Sequence, residues 1–289
     1  MMVSLKKVSG ALGGAALLAL LIAGCGAQPG AGQSSNVSSG SNAAGGNTAG
    51  STGSAASLLD QLKSGQRTLE VGTDATFPPF EFTDAAGQKM GFDIDLVNDI
   101  TKQIGIPKVD FKQVPFAELV PDLTANHIDM AASAIYITPE REKVVDFSTT
   151  YFPGGLTILV KDSNQTIHGP KDLAGKRVAV QVGTKSVNWL KQNVPSAQLV
   201  VVQTNDQMFN SIQTGQADAV VTGYPAARYY IQKHGGAKTV GPLLTKEEYG
   251  FAFRKSDKDL LNAVNTALDA LQKDGTIKQL EIKWFGEAQ

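Results

Sequence analysis

TDATFPPFEF, Thr73–Phe82, follows directly on RTLEVG, a run whose alternation predicts a β-strand. Asp74, three phenylalanines and two prolines stand within this short stretch. Pro78 and Pro79 remove backbone donors and fix φ, so the strand cannot simply continue into a core ladder. The chain turns here into a rigid aromatic corner with Asp74 at its lip.

Downstream of the corner, short apolar strands alternate with amphipathic helices. DIDLVNDITKQIG predicts a helix with Ile94, Val97, Ile100 and Ile104 on one stripe and Asp93 as its cap. VDFKQVP, AELVPDLTANH and IDMAASAI read as strand, helix and strand. TPEREKVV reads as a short helix with Thr138 at the N-cap and Pro139 in the first turn. DFSTTYFPGGLTILVK is an extended crossing into a second α/β run from about residue 156 to 246, and YGFAFRK is the return. The tail is helical, with Leu260, Val264, Leu268 and Leu271 on its apolar face and a break at Gly275. Alternating βα units imply mostly parallel sheets covered by helices. The two crossings divide the body into one lobe of residues 57–152 plus 250–289 and another of 156–246. Ligands collect beyond the carboxyl ends of such strands, so the cleft between lobes is the expected site.

The chain has 289 residues, 42% of them hydrophobic, with a formal charge of −1, which argues against an electrostatic grip on nucleic acid. Cys25 is the single cysteine, so neither an internal disulfide nor a Cys-rich metal site can form. Residues 1–24 carry Lys6 and Lys7 ahead of the apolar run Ala15–Ala23, the pattern of a secretory signal peptide. The ending LIAGC resembles the lipobox of bacterial lipoproteins, which implies that Cys25 carries lipid; the alternative is a small buried thiol after an ordinary signal. Residues 26–56 have no charge and no aromatic, and cannot bury enough apolar surface to offset ordering entropy. They are expected to form a Gly/Ser/Ala-rich tether with a coil span of roughly 30 Å.

No nucleophile elbow, phosphate loop, dinucleotide fingerprint or zinc-protease motif occurs. His127, His168 and His234 stand apart and read as surface or packing residues. Asp93 and Asp95 read as helix-start acids on a solvated face. Neither an enzyme nor a cofactor is expected. Two features favour a small anion. Arg141 lies in the first turn of its helix, where positive charge opposes the helix dipole unless an anion is near; the alternative is a salt bridge to Glu140, Glu142 or Asp146. In QVGTKSVNW, Gly183 turns the chain from a strand end into a helix opening with free N–H groups, which is also what a plain βα turn looks like.

Taken together, GTDATFPPFEF, GFDIDLVNDI, ITPEREKVVDFS, KDLAGKRVAVQVGT, GQADAVVTGYP and IKQLEIKWFG resemble the extracellular solute-binding proteins of ABC importers for polar amino acids, family 3, over about residues 66–286. The resemblance implies a two-lobe, periplasmic-binding-protein-like (type II) α/β fold closing over a two-segment hinge. It implies a lipid-anchored monomer on the extracytoplasmic face of the cell membrane, with a permease and a separate ATPase as partners. By matching positions, it implies that Asp74 and Phe77 face the ligand side chain and that Phe116 is a second aromatic wall; the alternative is that Phe77, Phe80 and Phe82 are core residues, which is the reading for Phe82 and is balanced for Phe80. Ser133, Ala134 and Tyr136 match the strand-end contacts, Arg141 the partner of the α-carboxylate, and Gln181 and Thr184 the contacts of the second lobe. One position departs from the pattern: Gly223 stands where the family usually carries the acid that accepts the α-ammonium. Asp74 could take that ammonium; backbone carbonyls or Thr222 could; or the ligand is an organic acid or another nitrogen compound without one. Tyr136, where a small hydroxyl residue is common, also reshapes the site. Two further alternatives are a dehydratase acting on cyclic acids, known on the same fold, and a sensory domain acting through a separate partner.

Overall fold

The computed structural model describes residues 56–287. The expected signal segment, Cys25 and the tether as far as residue 55 lie outside them. The described residues form one compact unit.

Two five-stranded sheets divide this unit into lobes. The first has the order Val109–Gln113, Leu69–Thr73, Met130–Ala131, Ala252–Phe253, Asp146–Phe147. The second has the order Gln198–Val202, Arg177–Gln181, Ala219–Gly223, Leu156–Lys161, Ala237–Val240. Each sheet is mixed rather than mostly parallel. The strands that enter through βα units pair in parallel. Those supplied by the crossings, Leu156–Lys161 and Ala252–Phe253, run against their neighbours. A crossover helix returns the chain to the same end of the sheet, whereas a strand arriving from the other lobe enters from the opposite end. The two crossings pair with each other, Phe152 opposite Tyr249, and make the two-segment hinge.

In the first lobe stand α1 (Leu58–Lys63), α2 (Phe92–Ile104), α3 (Leu119–Thr124) and α4 (Pro139–Glu142); α5 (Lys185–Asn193), α6 (Asn205–Gln213) and α7 (Tyr224–His234) cover the second; α8 (Lys258–Lys273) and α9 (Thr276–Phe285) return to the first. The apolar stripes of α2 and α8 pack together, burying Val97, Ile100, Leu260, Val264, Leu268 and Leu271. Each such side chain stabilises by about 1.5–3 kcal/mol on burial. Gly275, at φ 84°, separates α8 from α9. Thr138 caps α4 by accepting from the Arg141 amide. Asp93, however, does not cap α2. Gly91 holds that place, and Asp93 lies inside the first turn, fully buried.

The strand ends converge on the interlobe cleft: Asp74 follows Leu69–Thr73, Ser133 follows Met130–Ala131, and Gln181 and Gly223 end their own strands.

Candidate functional site

A cavity of about 40 Å³ lies between the lobes at these strand ends. Phe77, Phe116, Ser133, Ala134 and Tyr136 line it from the first lobe; Gln181, Thr184 and Thr222 line it from the second. Eight of the sequence-predicted residues thus share one wall system, and Asp74 and Arg141 do not.

The aromatic corner divides its phenylalanines differently from expectation. Phe77 is half-buried and faces the cavity, stacked on Phe80 at 5.8 Å between centroids. Phe80 is the core residue, fully buried among Phe152, Tyr249 and Phe285, each at 5.1 Å. Phe82 stays half-buried against Trp284. In a strand, residues 80 and 82 share a face, but this strand is only three residues long and Phe80 precedes it.

Asp74 is buried behind the cavity wall and accepts from four donors. Thr76 and Gln113 reach Oδ1; the Phe116 amide and Gln181 reach Oδ2. Burial nonetheless raises its pKa, outweighing those bonds. The Gln181 bond, at 2.6 Å, runs from one lobe to the other. Asn205 reaches Thr76 Oγ1 across the same cleft from its amide (3.3 Å) and side chain (3.4 Å). These bonds hold the lobes closed.

Arg141 sits on the seam. Its guanidinium donates to the Tyr136 carbonyl (2.8 Å) and, across the cleft, to the Gly183 carbonyl (3.3 Å), and it lies 5.4 Å over the Phe116 ring. None of the three carboxylates near it in sequence pairs with it; Asp146 is taken by Lys255 and Lys258. Burial lowers the Arg141 pKa to about 10, with Glu140 and Tyr136 opposing the shift. Gly183 must be glycine here: its φ is 75°, and a Cβ would stand 2.8 Å from Ala117 Cα of the opposing lobe. Beyond it, Thr184 donates to the Gln181 carbonyl and leaves the first amides of α5 uncapped beside Lys185, which also lines the cavity and pairs with Glu247 at 3.2 Å. An uncapped helix start with a lysine on it favours an anion.

Sequence reasoning missed two wall residues of consequence, Glu81 and Tyr249. The Glu81 carboxyl accepts from Ser133 Oγ at 2.8 Å. It stands beside Asp93, whose Oδ2 accepts from the Ala134 amide (2.8 Å) and the Tyr151 hydroxyl (2.9 Å). Burial, then the neighbouring Asp93, pushes Glu81 well up; burial pushes Asp93 to about 7. Tyr249 donates to Tyr136 Oη at 3.0 Å, their rings stacked at 4.5 Å, and Tyr136 in turn donates to the Gly155 carbonyl at 3.0 Å. A Cβ on Gly223 would stand 2.5 Å from Tyr249 Oη. The phenol therefore fills the space an acid at 223 would need.

The histidines lie elsewhere: His127 against Asp122, His168 on the Gln165 carbonyl, His234 against Tyr230. No cluster of metal-ligating side chains occurs among the described residues.

Residues 69–287 match the bacterial extracellular solute-binding proteins, family 3. The chain belongs to that family. The L-cystine-binding protein TcyJ of Escherichia coli strain K12 is 35% identical over 231 residues, covering 79% of this chain and 86% of that protein. The ABC transporter arginine-binding protein 1 of the same strain is 29% identical over 228 residues, covering 77% and 92%. Among solved structures, the P235GK mutant of the arginine-binding protein ArgBP of T. maritima superposes with a TM-score of 0.75 at 37% identity, covering 79% of this chain and 99% of that one. The ancestral amino acid-binding protein AncCDT-1, a precursor of cyclohexadienyl dehydratase, has a TM-score of 0.75 at 42% identity, covering 79% and 100%. Family 3 membership and the two-lobe fold thus agree with the interlobe position of the cavity.

Proposed function

We propose that this family 3 chain is the extracytoplasmic receptor of an ABC importer. It takes a polar amino acid into the interlobe cavity and delivers it to a permease driven by a separate ATPase. The observation that carries the reading is the Arg141 guanidinium on the seam, bonded to two carbonyls over the Phe116 ring, with no carboxylate partner among the described residues, opposite the uncapped start of α5. A ligand carboxylate is the group that both lobes then lack, and closure driven by ligand requires contact with both. Lipid on Cys25 would hold the receptor, as a monomer, on the outer face of the membrane. The relatives are named as binding proteins for cystine and arginine, which supports an amino acid with a polar side chain.

The test is a thermal-shift screen of the purified protein against amino acids. A ligand at 1,000-fold its dissociation constant adds roughly 4 kcal/mol of stability, a midpoint shift of roughly 10 °C for a body this size. Arg141→Ala should weaken the stabilising amino acid about 10- to 150-fold, the equivalent of about 1.5–3 kcal/mol for a charge-assisted bond. Undiminished binding by that variant would sink the carboxylate assignment.

A second reading is favoured by Tyr249 standing where a Gly223 side chain would be: the receptor takes an organic acid or another nitrogen compound without an α-ammonium. Equal stabilisation by an amino acid and its deaminated analogue would establish it. We read the chain as a binder rather than an enzyme; a product formed from a cyclic acid would reverse that.

A further inference from the structure

We infer that the Tyr249 hydroxyl oxygen accepts a hydrogen bond from the α-substituent of the ligand, as an uncharged acceptor standing where a side chain at 223 would reach. The receptor then takes small carboxylates that carry an α-donor, hydroxy acids as well as amino acids. The inference rests on the reading of the interlobe cavity as the ligand site and names a substrate class for it.

A phenol has one proton to give and an oxygen that can receive. At Tyr136 both capacities are used. Its Oη donates to the Gly155 carbonyl at 3.0 Å, and accepts from the Gly155 amide at 3.1 Å and from Tyr249 at 3.0 Å. The relay ends on a carbonyl, which can only accept, so the Tyr249 proton is committed to Tyr136. Among the described residues, no group donates to Tyr249 Oη in return. The oxygen nevertheless belongs to a cavity-wall side chain that is 1% exposed, and a buried acceptor without a donor is costly. Burial pushes the Tyr249 pKa well up, so the phenol stays neutral.

Its place in the cavity is fixed by Gly223, whose Cβ would stand 2.5 Å from Tyr249 Oη and 3.3 Å from Tyr136 Oη. The other polar groups of the wall are already engaged. Ser133 donates to Glu81 and accepts from the Asp74 amide. Gln181 donates to Asp74 and to the Gln203 carbonyl, and accepts from Asn205. Thr184 donates to the Gln181 carbonyl. The Tyr249 ring is held by first-lobe residues, Tyr136 at 4.5 Å and Phe80 at 5.1 Å, so Oη is in place before the second lobe closes on it.

An acceptor without charge selects differently from an acid. A carboxylate rewards a full positive charge, whereas a phenol oxygen accepts from an ammonium or a hydroxyl. It disfavours a keto oxygen, which brings lone pair against lone pair and leaves both acceptors unpaired. With Arg141 on the seam for the carboxylate, what the ligand needs beside it is one N–H or O–H on the α-carbon.

The experiment is calorimetric titration of the full chain with L-arginine and L-glutamine, each set beside its α-hydroxy, α-keto and deaminated analogues. In wild type the α-amino and α-hydroxy acids should bind within about tenfold of each other. The deaminated acid should bind about tenfold more weakly than either, and the keto acid most weakly. Tyr249→Phe should weaken the amino and hydroxy acids about tenfold and leave the deaminated acid within about twofold. The preference for a donor then disappears, whereas a merely structural phenol would weaken every probe alike. The wild-type ranking needs no variant and decides the matter if Tyr249→Phe fails to fold.

A donor preference that survives in Tyr249→Phe overturns the inference while the amino-acid reading stands. Hydroxy acids that bind through Tyr249 where amino acids do not bind would uphold the inference and sink the amino-acid reading. Deaminated acids binding as tightly as amino acids in wild type, or keto acids more tightly than hydroxy acids, overturn the inference. Binding by none of the probes overturns both.

Discussion

Gly223→Ala should destabilise the protein through a single overlap, and the size of the effect can be argued from the contacts. The added Cβ would stand 2.5 Å from Tyr249 Oη, 3.3 Å from Tyr136 Oη and 3.5 Å from Phe77 Cζ. The backbone contributes nothing to the cost, because φ at 223 is −61°, open to any residue. Tyr249 has little room to yield. It is 1% exposed, its ring is stacked on Tyr136 at 4.5 Å and lies 5.1 Å from Phe80, and its hydroxyl is bonded to Tyr136 at 3.0 Å. Overpacking of this kind costs about 1–3 kcal/mol, a fall of roughly 3–10 °C in Tm. Tyr249→Phe alone gives up one hydrogen bond, about 0.5–1.5 kcal/mol. With that oxygen gone, the nearest atom to the new methyl is 3.3 Å away, so the double variant should be about as stable as Tyr249→Phe. Thermal and urea unfolding of the four proteins would measure a coupling of at least about 1 kcal/mol. Strict additivity, or a Gly223→Ala protein as stable as wild type, would refute the claim that Tyr249 occupies the space of a side chain at 223.

Ligand-free stability should fall as pH rises from about 5 to 8. Asp93 is held near 7 in the fold against 3.8 in the unfolded chain, so the native state binds more protons between those values. The contribution is fully present below the unfolded value and lost on passing the folded one, with a ceiling of about 4 kcal/mol. Asp93→Asn should flatten Tm against pH across that window, and an unchanged slope would place the titration elsewhere. Asp129→Ala should cost about 3–5 kcal/mol, because the fully buried Asp129 pairs with Arg254 at 2.9 Å and Arg67 at 2.5 Å; a denaturant midpoint within error of wild type would contradict it. Gln181→Leu removes the 2.6 Å bond to Asp74 across the cleft, a charge-assisted bond of about 1.5–3 kcal/mol. Ligand-free protein should then scatter X-rays as a more open body, and an unchanged radius of gyration would show that other contacts hold the lobes.

What could be read in advance followed from periodicity and local chemistry. The stripe of α8, the Thr138 cap and the Gly275 break are all written within a few residues of where they act. So is the wall formed by Phe77, Ser133, Tyr136 and Gln181, through motif resemblance. Asp93 shows where such reading stops. It looks like a solvated helix-start acid, yet it is buried because the hinge crossing lays Tyr151 over that turn, and no local signal marks that contact. Glu81 falls between two phenylalanines, and only the tertiary fold reveals that it reaches the cavity rather than solvent. Tyr249 lies 26 positions beyond Gly223, on the return crossing, so the reason for the glycine is legible only in three dimensions.

The distribution of charge also constrains how the receptor opens. The carboxyls behind the wall belong to the first lobe, and one of the four donors to Asp74, Gln181, comes from the second. When the lobes part, Gln181 leaves Asp74, Asn205 leaves Thr76, and the first-lobe face presents an acid with one donor fewer to incoming solute. Opening therefore leaves Asp74 with its three first-lobe donors, and closure restores the fourth. The bonds that hold the closed arrangement are protein-to-protein, so a ligand must bind a state from which those bonds have been withdrawn. Its apparent affinity is lowered by the fraction of molecules that are shut. A substitution that weakens the Gln181 latch should then raise the association rate for a cationic amino acid, even where loss of a wall contact also raises its dissociation rate.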